Sequence, residues 1–126
     1  MRSIYGVYIA APFHYGREHA KTVRLELKHR GFFCTSHWID SHITDSSDES
    51  MLQGEAEQDL YDIGAADALI LLNDHPPSVG RSIETGYALA LRMPIFLIGP
   101  KTSVFHHHPL VRQIQDTREV PYGIQD

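Results

Sequence analysis

A single cysteine, Cys34, stands among 126 residues. One thiol cannot close a disulfide within the chain, so a reducing compartment is the simpler expectation. No apolar run approaches the ~18 residues of a membrane-spanning helix. The start, Met1-Arg2-Ser3-Ile4, lacks the long apolar stretch of a secretory signal, and a soluble cytoplasmic protein is expected. Basic residues are also scarce, with 11 Lys and Arg against 16 Asp and Glu and a formal net charge of −5. That balance argues against a nucleic-acid coat or a binder of acidic membranes. It leaves room for a small anion, which needs local donors rather than a global surplus. Internal repeats and low-complexity tracts are absent. A 42% hydrophobic content excludes a disordered tail, a collagen-like fibre and a disulfide mini-protein. One domain over residues 1–126 is expected, and a chain of this length buries about two-thirds of its unfolded surface.

Apolar patterning supplies the elements. Ile4 to Ala11, closed by Pro12, reads as a buried strand. Gly16 to Arg30 reads as a helix carrying Ala20, Val23, Leu25 and Leu27, with Gly31 as its stop. A short strand over Phe32 to Thr35 and a polar loop over Ser41 to Ser50 follow. Met51 to Ala66 is a second helix whose inner stripe would be Leu52, Ala56, Leu60 and Ile63. Ala68 to Leu72 is an unbroken apolar run, as a central parallel strand covered on both faces requires. Arg81 to Arg92 reads as a third helix with Ile83, Tyr87, Ala90 and Leu91 facing in, and Pro94 to Ile98 as another strand. The tail holds a weak helix signal over Leu110 to Gln115 and an edge strand near Val120. Alternation of strand and helix predicts a doubly wound, Rossmann or flavodoxin-like α/β domain with four to five parallel strands. Ligands then bind at the carboxyl ends of the strands, in loops Ala11–Gly16, Ser36–Asp40, Asn73–Gly80 and Gly99–His108.

Two carboxylates stand out by position. Asp59 falls on the inner stripe of the second helix, where a charge must be partnered or shifted in pKa; the plain alternative is a solvated residue at the stripe's edge. Glu84 falls in the first turn of the third helix, past a loop at a strand's carboxyl end; the plain alternative is a favourable charge near a helix N-terminus. Ser78-Val79-Gly80-Arg81-Ser82 could cradle a phosphate with backbone N–H groups, or be an ordinary strand-to-helix turn. It has neither P-loop nor dinucleotide-fingerprint spacing. His106-His107-His108 are consecutive and cannot share one chelating face; without CxxC or HExxH no metal is expected. Cys34 reads as a small core residue.

Tyr8-Ile9-Ala10-Ala11-Pro12-Phe13, Gln58-Asp59-Leu60, Ala66-Asp67-Ala68-Leu69-Ile70 and Gly80-Arg81-Ser82-Ile83-Glu84-Thr85-Gly86-Tyr87-Ala88 together resemble the nucleoside 2′-deoxyribosyltransferase-like superfamily. The likeness runs from about Ile4 to about Pro109. It implies cleavage of an N-glycosidic bond, with Glu84 as nucleophile at C1′, Asp59 assisting the departing base and Tyr8 holding the Glu84 carboxylate. A covalent trap plus a second acid is the chemistry of a retaining displacement. Asp67 is left a structural role at a strand entrance. Transferases of this superfamily usually carry an Asp six residues before the nucleophile, which accepts from the sugar 5′-hydroxyl; Ser78 stands there instead and can donate to a 5′-phosphate. The sequence therefore looks like the nucleoside 5′-monophosphate N-glycosidase branch. That likeness implies substrate contacts from Pro12, Phe13, His14, Arg17, Ser78, Gly80 and Ser82, with Pro12 in place of a usual serine. It also implies a base neighbour in His37 or Trp38 and a phosphate contact from His106 of an adjoining subunit. Trp38 has a second reading as a core or dimer-contact residue. The expected reaction is hydrolysis of a (deoxy)nucleoside 5′-monophosphate, including a modified pyrimidine nucleotide, by a homodimer or higher homo-oligomer with a shared active site and no metal or organic cofactor. The alternatives are base exchange between deoxynucleosides and a non-catalytic nucleotide sensor; a sensor needs no nucleophile, and Tyr8, Asp59 and Glu84 occur together.

Overall fold

Two wholly buried five-residue strands lie side by side at the centre of the computed structural model, which describes residues 2–44 and 46–125. In chain order the elements are β1 (Arg2–Ile4), β2 (Gly6–Ala10), α1 (Arg17–His29), β3 (Phe33–Cys34), α2 (Glu49–Gly64), β4 (Ala68–Leu72), α3 (Val79–Ala90), β5 (Ile95–Ile98), β6 (Val111–Ile114) and β7 (Gly123–Gln125), with short 3-10 turns at His37–Asp40, Val104–His107 and Thr117–Glu119. Five strands form one parallel sheet in the order β3-β2-β4-β5-β6. Chain order reverses between β2 and β4, so the crevice at their carboxyl ends is the switch point where such sheets take ligands. None of the helices is long and apolar enough to cross a membrane, among the described residues.

Several expectations shift once the chain is folded. The first apolar run is two strands, because the Asp67 carboxylate accepts from the backbone N–H groups of both Tyr5 and Gly6, at 3.0 and 2.9 Å, and breaks the run there. β1 leaves the main sheet and pairs antiparallel with β7. The tail is tied down by Arg30, whose guanidinium donates to the carbonyls of Thr117 and Val120. Leu110 to Gln115 is not helical: Val111–Ile114 extends as β6 against β5. Val111 and Ile114 mimic a helical i, i+3 pair, but both are β-branched and fit an edge strand. The late strand falls at Gly123–Gln125, not at Val120, which is buried.

The helix faces also differ from the sequence pattern. Leu25 is exposed on α1, where Ala20, Val23 and Leu27 pack inward. On α2, Asp62 and Ile63 are the buried positions, while Leu52 and Leu60 keep more than a third of their surface exposed. On α3, Ile83 and Leu91 are exposed, and Arg81, Thr85 and Ala88 are buried. Periodicity marks an apolar stripe without saying whether it meets the core or a cavity. Two glycines are conformationally required. Gly31 ends α1 at φ +100°, and Gly99, at φ +112°, lets the end of β5 approach the Asn73–Asp74 backbone so closely that a Cβ would sit 2.7 Å from it.

Candidate active site

A cavity of about 540 Å³ opens at the switch point. One wall is the Ala11–Tyr15 segment after β2, the floor includes Trp38, and the opposite wall comes from α2 and the first turns of α3. Leu52, Ala56 and Leu60 line it alongside Glu55 and Asp59. The α2 stripe is thus apolar because it faces a cavity, which corrects its reading as a core stripe.

Glu84 faces this space. α3 starts at Val79, so Glu84 lies in the second turn rather than the first. The helix N-terminus therefore gives it less than the sequence suggested, since that field fades beyond the first turn. Its carboxylate accepts a hydrogen bond from the Tyr8 hydroxyl, which comes from the buried middle of β2. Burial pushes the Glu84 carboxyl up to about 8; the Tyr8 hydrogen bond pulls it back and the charge on Asp59 adds to the rise. Tyr8 itself is driven far above the usual tyrosine range, by burial first and then by Glu84. It remains an O–H donor at any working pH.

Asp59 lines the same cavity. Burial raises its carboxyl to about 7, with the charges of Glu55 and Asp62 contributing. One buried oxygen of Asp59 and one of Glu55 have no hydrogen-bond partner in the protein. Glu55 was not anticipated from sequence. Its position four residues before Asp59 on one helix is the signal that could have found it. Burial beside the Glu55 and Asp62 charges therefore favours a proton on Asp59.

The remaining expected contacts divide. Pro12, Phe13, His14, Trp38, Ser78 and Gly80 line the cavity. Trp38 is buried, and its indole N–H donates to the Ile9 carbonyl at 2.7 Å, so it is both a core residue and part of the floor. Arg17 does not line the cavity; its guanidinium lies over the Phe13 ring, 4.4 Å from the centroid. His37 turns the other way. Its backbone N–H and its Nδ1 meet the buried Asp62 carboxylate at 3.0 and 2.9 Å, and Gln58 donates to the same group at 2.8 Å. Ser78 caps α3, accepting from the Arg81 N–H, and Ser82 donates back to the Ser78 carbonyl.

Ser82 and His106 border an adjoining hollow, which shares Ser78 and Arg81 with the main cavity. His106 is buried, and its Nδ1 accepts from the Thr102 N–H, which places the ring proton on Nε2. Burial and the nearby charges of Arg81, His107 and Lys101 lower its pKa, so it is a neutral donor and not a cation. Arg81 escaped sequence reading because its charge predicts exposure. It is buried and donates to the carbonyls of Leu72 and Pro76, at 2.8 and 2.9 Å, which fixes the loop before Ser78. The Cys34 thiol is pushed up by burial and has none of the thiolate character of a nucleophile.

The family model for nucleoside 2-deoxyribosyltransferase matches residues 7–118. No match is found among curated protein sequences. Among solved structures, a 2-deoxyribosyltransferase from Bacillus psychrosaccharolyticus superposes with a TM-score of 0.77 at 20% identity, covering 91% of this chain and 89% of its own. A conserved protein from Enterococcus faecalis V583 gives 0.62 at 19% identity, covering 83% and 71%. A Clostridium botulinum CMP N-glycosidase gives 0.59 at 20% identity, covering 90% and 92%. At these identities the structural likenesses bear on fold alone.

Proposed function

We propose that this chain, which belongs to the nucleoside 2-deoxyribosyltransferase family, hydrolyses the N-glycosidic bond of a nucleoside 5′-monophosphate. The observation that carries this is the Glu84 carboxylate, held by the Tyr8 hydroxyl and facing one cavity with Asp59. In the first step a Glu84 oxygen attacks C1′, the C1′–N bond breaks, and Asp59 gives its proton to the departing base. The sugar is then esterified to Glu84. In the second step Asp59 takes a proton from water as the water oxygen attacks C1′, which frees (deoxy)ribose 5-phosphate and restores both carboxyl groups. This sequence is a retaining double displacement.

The preference for a monophosphate rests on Ser78. Its hydroxyl and the α3 N-terminus present no negative charge at the cavity's edge, and His14 stands nearby on the facing segment. An acid at position 78 would repel a phosphate; a hydroxyl can donate to one. A net charge of −5 does not oppose this, because the local groups decide. The wide apolar stripe of Leu52, Ala56 and Leu60 suits a planar base, including a pyrimidine with an added substituent. We also take the working unit to be a homodimer or higher homo-oligomer. In support, Val79 and Ile83 on α3 and Val104 and Phe105 in the turn after β5 are exposed large apolar side chains, and sedimentation tests this.

The test is a panel of nucleoside 5′-monophosphates, modified pyrimidines and the matching nucleosides, given to wild type and Glu84→Gln, with released base followed by chromatography. Release from monophosphates by wild type alone is expected. Equal turnover of nucleosides overturns the phosphate preference. Release only when a second base is supplied replaces hydrolysis by base exchange, and tight binding without any release makes the protein a sensor.

A further inference from the structure

Outside the cavity, three metal-ligating side chains from two segments converge. His19 lies in the first turn of α1, and Asp74 and His75 follow β4. His19 Nδ1 and His75 Nε2 are 2.9 Å apart. Asp74 Oδ1 stands 3.6 Å from the first and 3.4 Å from the second. A hydrogen bond between the rings accounts for the short edge alone, since the two edges to Asp74 are at or beyond hydrogen-bond length. One ion held by all three atoms accounts for the two edges to Asp74 and narrows the angle between the two nitrogens to about 90°. Ligand atoms about 2.0–2.1 Å from zinc stand about 3.3–3.4 Å apart. An ion at that distance from these three atoms lies about 0.7 Å off their plane, the height it has over one face of a regular tetrahedron. The fourth corner faces away from the protein donors and suits a water molecule.

We propose that His19, Asp74 and His75 form a site for one divalent transition-metal ion, with zinc the best fit to two imidazoles and a carboxylate. The rings are partly buried and Asp74 is 45% exposed, so the donors are held in place and an ion can still enter. No motif marks it, because residue 19 and residues 74–75 lie far apart in the chain. The location suggests what the ion does. His14 and Tyr15 precede α1 and Pro77 and Ser78 follow His75, and these are two walls of the cavity. A bound ion clamps the two walls together. Its role is structural and independent of the reaction proposed above.

The test uses untagged full-length protein stripped with a chelator and then titrated with Zn²⁺ by calorimetry and with Co²⁺ by visible absorption. One equivalent of each metal is expected, with the intense bands of tetrahedral cobalt and their loss on adding zinc. Zinc at a hundredfold excess over its Kd raises the unfolding midpoint by roughly 5–10 °C. His19→Ala and His75→Ala each weaken binding on the order of 100-fold, and His107→Ala leaves it unchanged. Circular dichroism without metal checks that the variants fold; if they do not, the wild-type cobalt spectrum decides. The absence of a saturable site, an octahedral spectrum, or undiminished binding in folded His19→Ala and His75→Ala overturns the proposal.

Discussion

The Tyr8 hydroxyl donates a hydrogen bond to the Glu84 carboxylate, joining the buried centre of β2 to the second turn of α3. The donor is rigid because the tyrosine is wholly buried in the sheet. It favours the ionised form of a carboxyl that burial drives toward neutrality. In the reaction we propose, Glu84 attacks as its anion, so this contact raises the share of molecules ready to react at a given pH.

Tyr8→Phe therefore moves the acid limb of the pH profile of kcat/KM to higher pH, because the stabilised anion loses its donor. The rate at neutral pH falls about 10–100-fold. The ring still packs, so the unfolding free energy changes by only about 1 kcal/mol. An unmoved acid limb in the variant would show that Tyr8 does not tune Glu84.

For the proposed reaction Asp59, raised to about 7, must keep its proton while Glu84, raised to about 8, must lose its own. The productive microstate is then a minority, on the order of one molecule in twenty near pH 7.5, and the profile is a narrow bell. Glu55→Gln removes one of the charges that raise Asp59. The basic limb moves to lower pH, and activity at about pH 8 drops severalfold while activity near pH 6 changes little. A basic limb that stays in place separates Glu55 from Asp59.

The same shifts make stability depend on pH. Glu84 titrates near 4.5 in the unfolded chain and near 8 when folded. Between these values the folded state holds a proton that the unfolded state has released, so this group's contribution is full at low pH and is lost as pH rises through 8. Glu84→Gln keeps an acceptor for Tyr8 without the buried charge. It is expected to exceed wild type in denaturant-measured stability by roughly 1–3 kcal/mol at about pH 9, with the gap closing toward pH 4.5. A constant gap across that range would point to packing rather than ionisation.

What could be read from sequence follows what packing leaves to the sequence. β4 was legible residue for residue, because a strand buried on both faces is apolar throughout. The α2 stripe was legible as a stripe, yet Leu52, Ala56 and Leu60 look inward in sequence whether they meet a core or a cavity. Asp59 and Glu84 stood out by position and Tyr8 through resemblance, and the fold brings the Glu84 and Tyr8 side chains into contact. Arg81 was missed and His37 was placed beside the base for one reason. Their roles depend on partners far along the chain or across a turn, the Leu72 and Pro76 carbonyls and the Asp62 carboxylate. β6 failed because four residues are too few for periodicity to separate strand from helix.

Ser78→Asp tests the charge at the phosphate end while sparing the fold. Ser78 is the N-cap of α3, accepting from the Arg81 N–H, and Asp is as good a cap. The helix therefore keeps its start, and the unfolding midpoint changes little. If the substrate is the nucleotide we propose, a fixed negative charge then faces its dianionic phosphate, while a nucleoside 5′-hydroxyl gains an acceptor. The expected outcome is a fall of at least about 10-fold in kcat/KM for monophosphates, with nucleoside turnover held or raised. Steady-state assays on a nucleotide and its nucleoside, at low and high salt, measure it. Repulsion weakens as salt screens it, so the loss should shrink with ionic strength. A variant that loses both substrates equally would place Ser78 in holding the helix rather than in choosing the ligand.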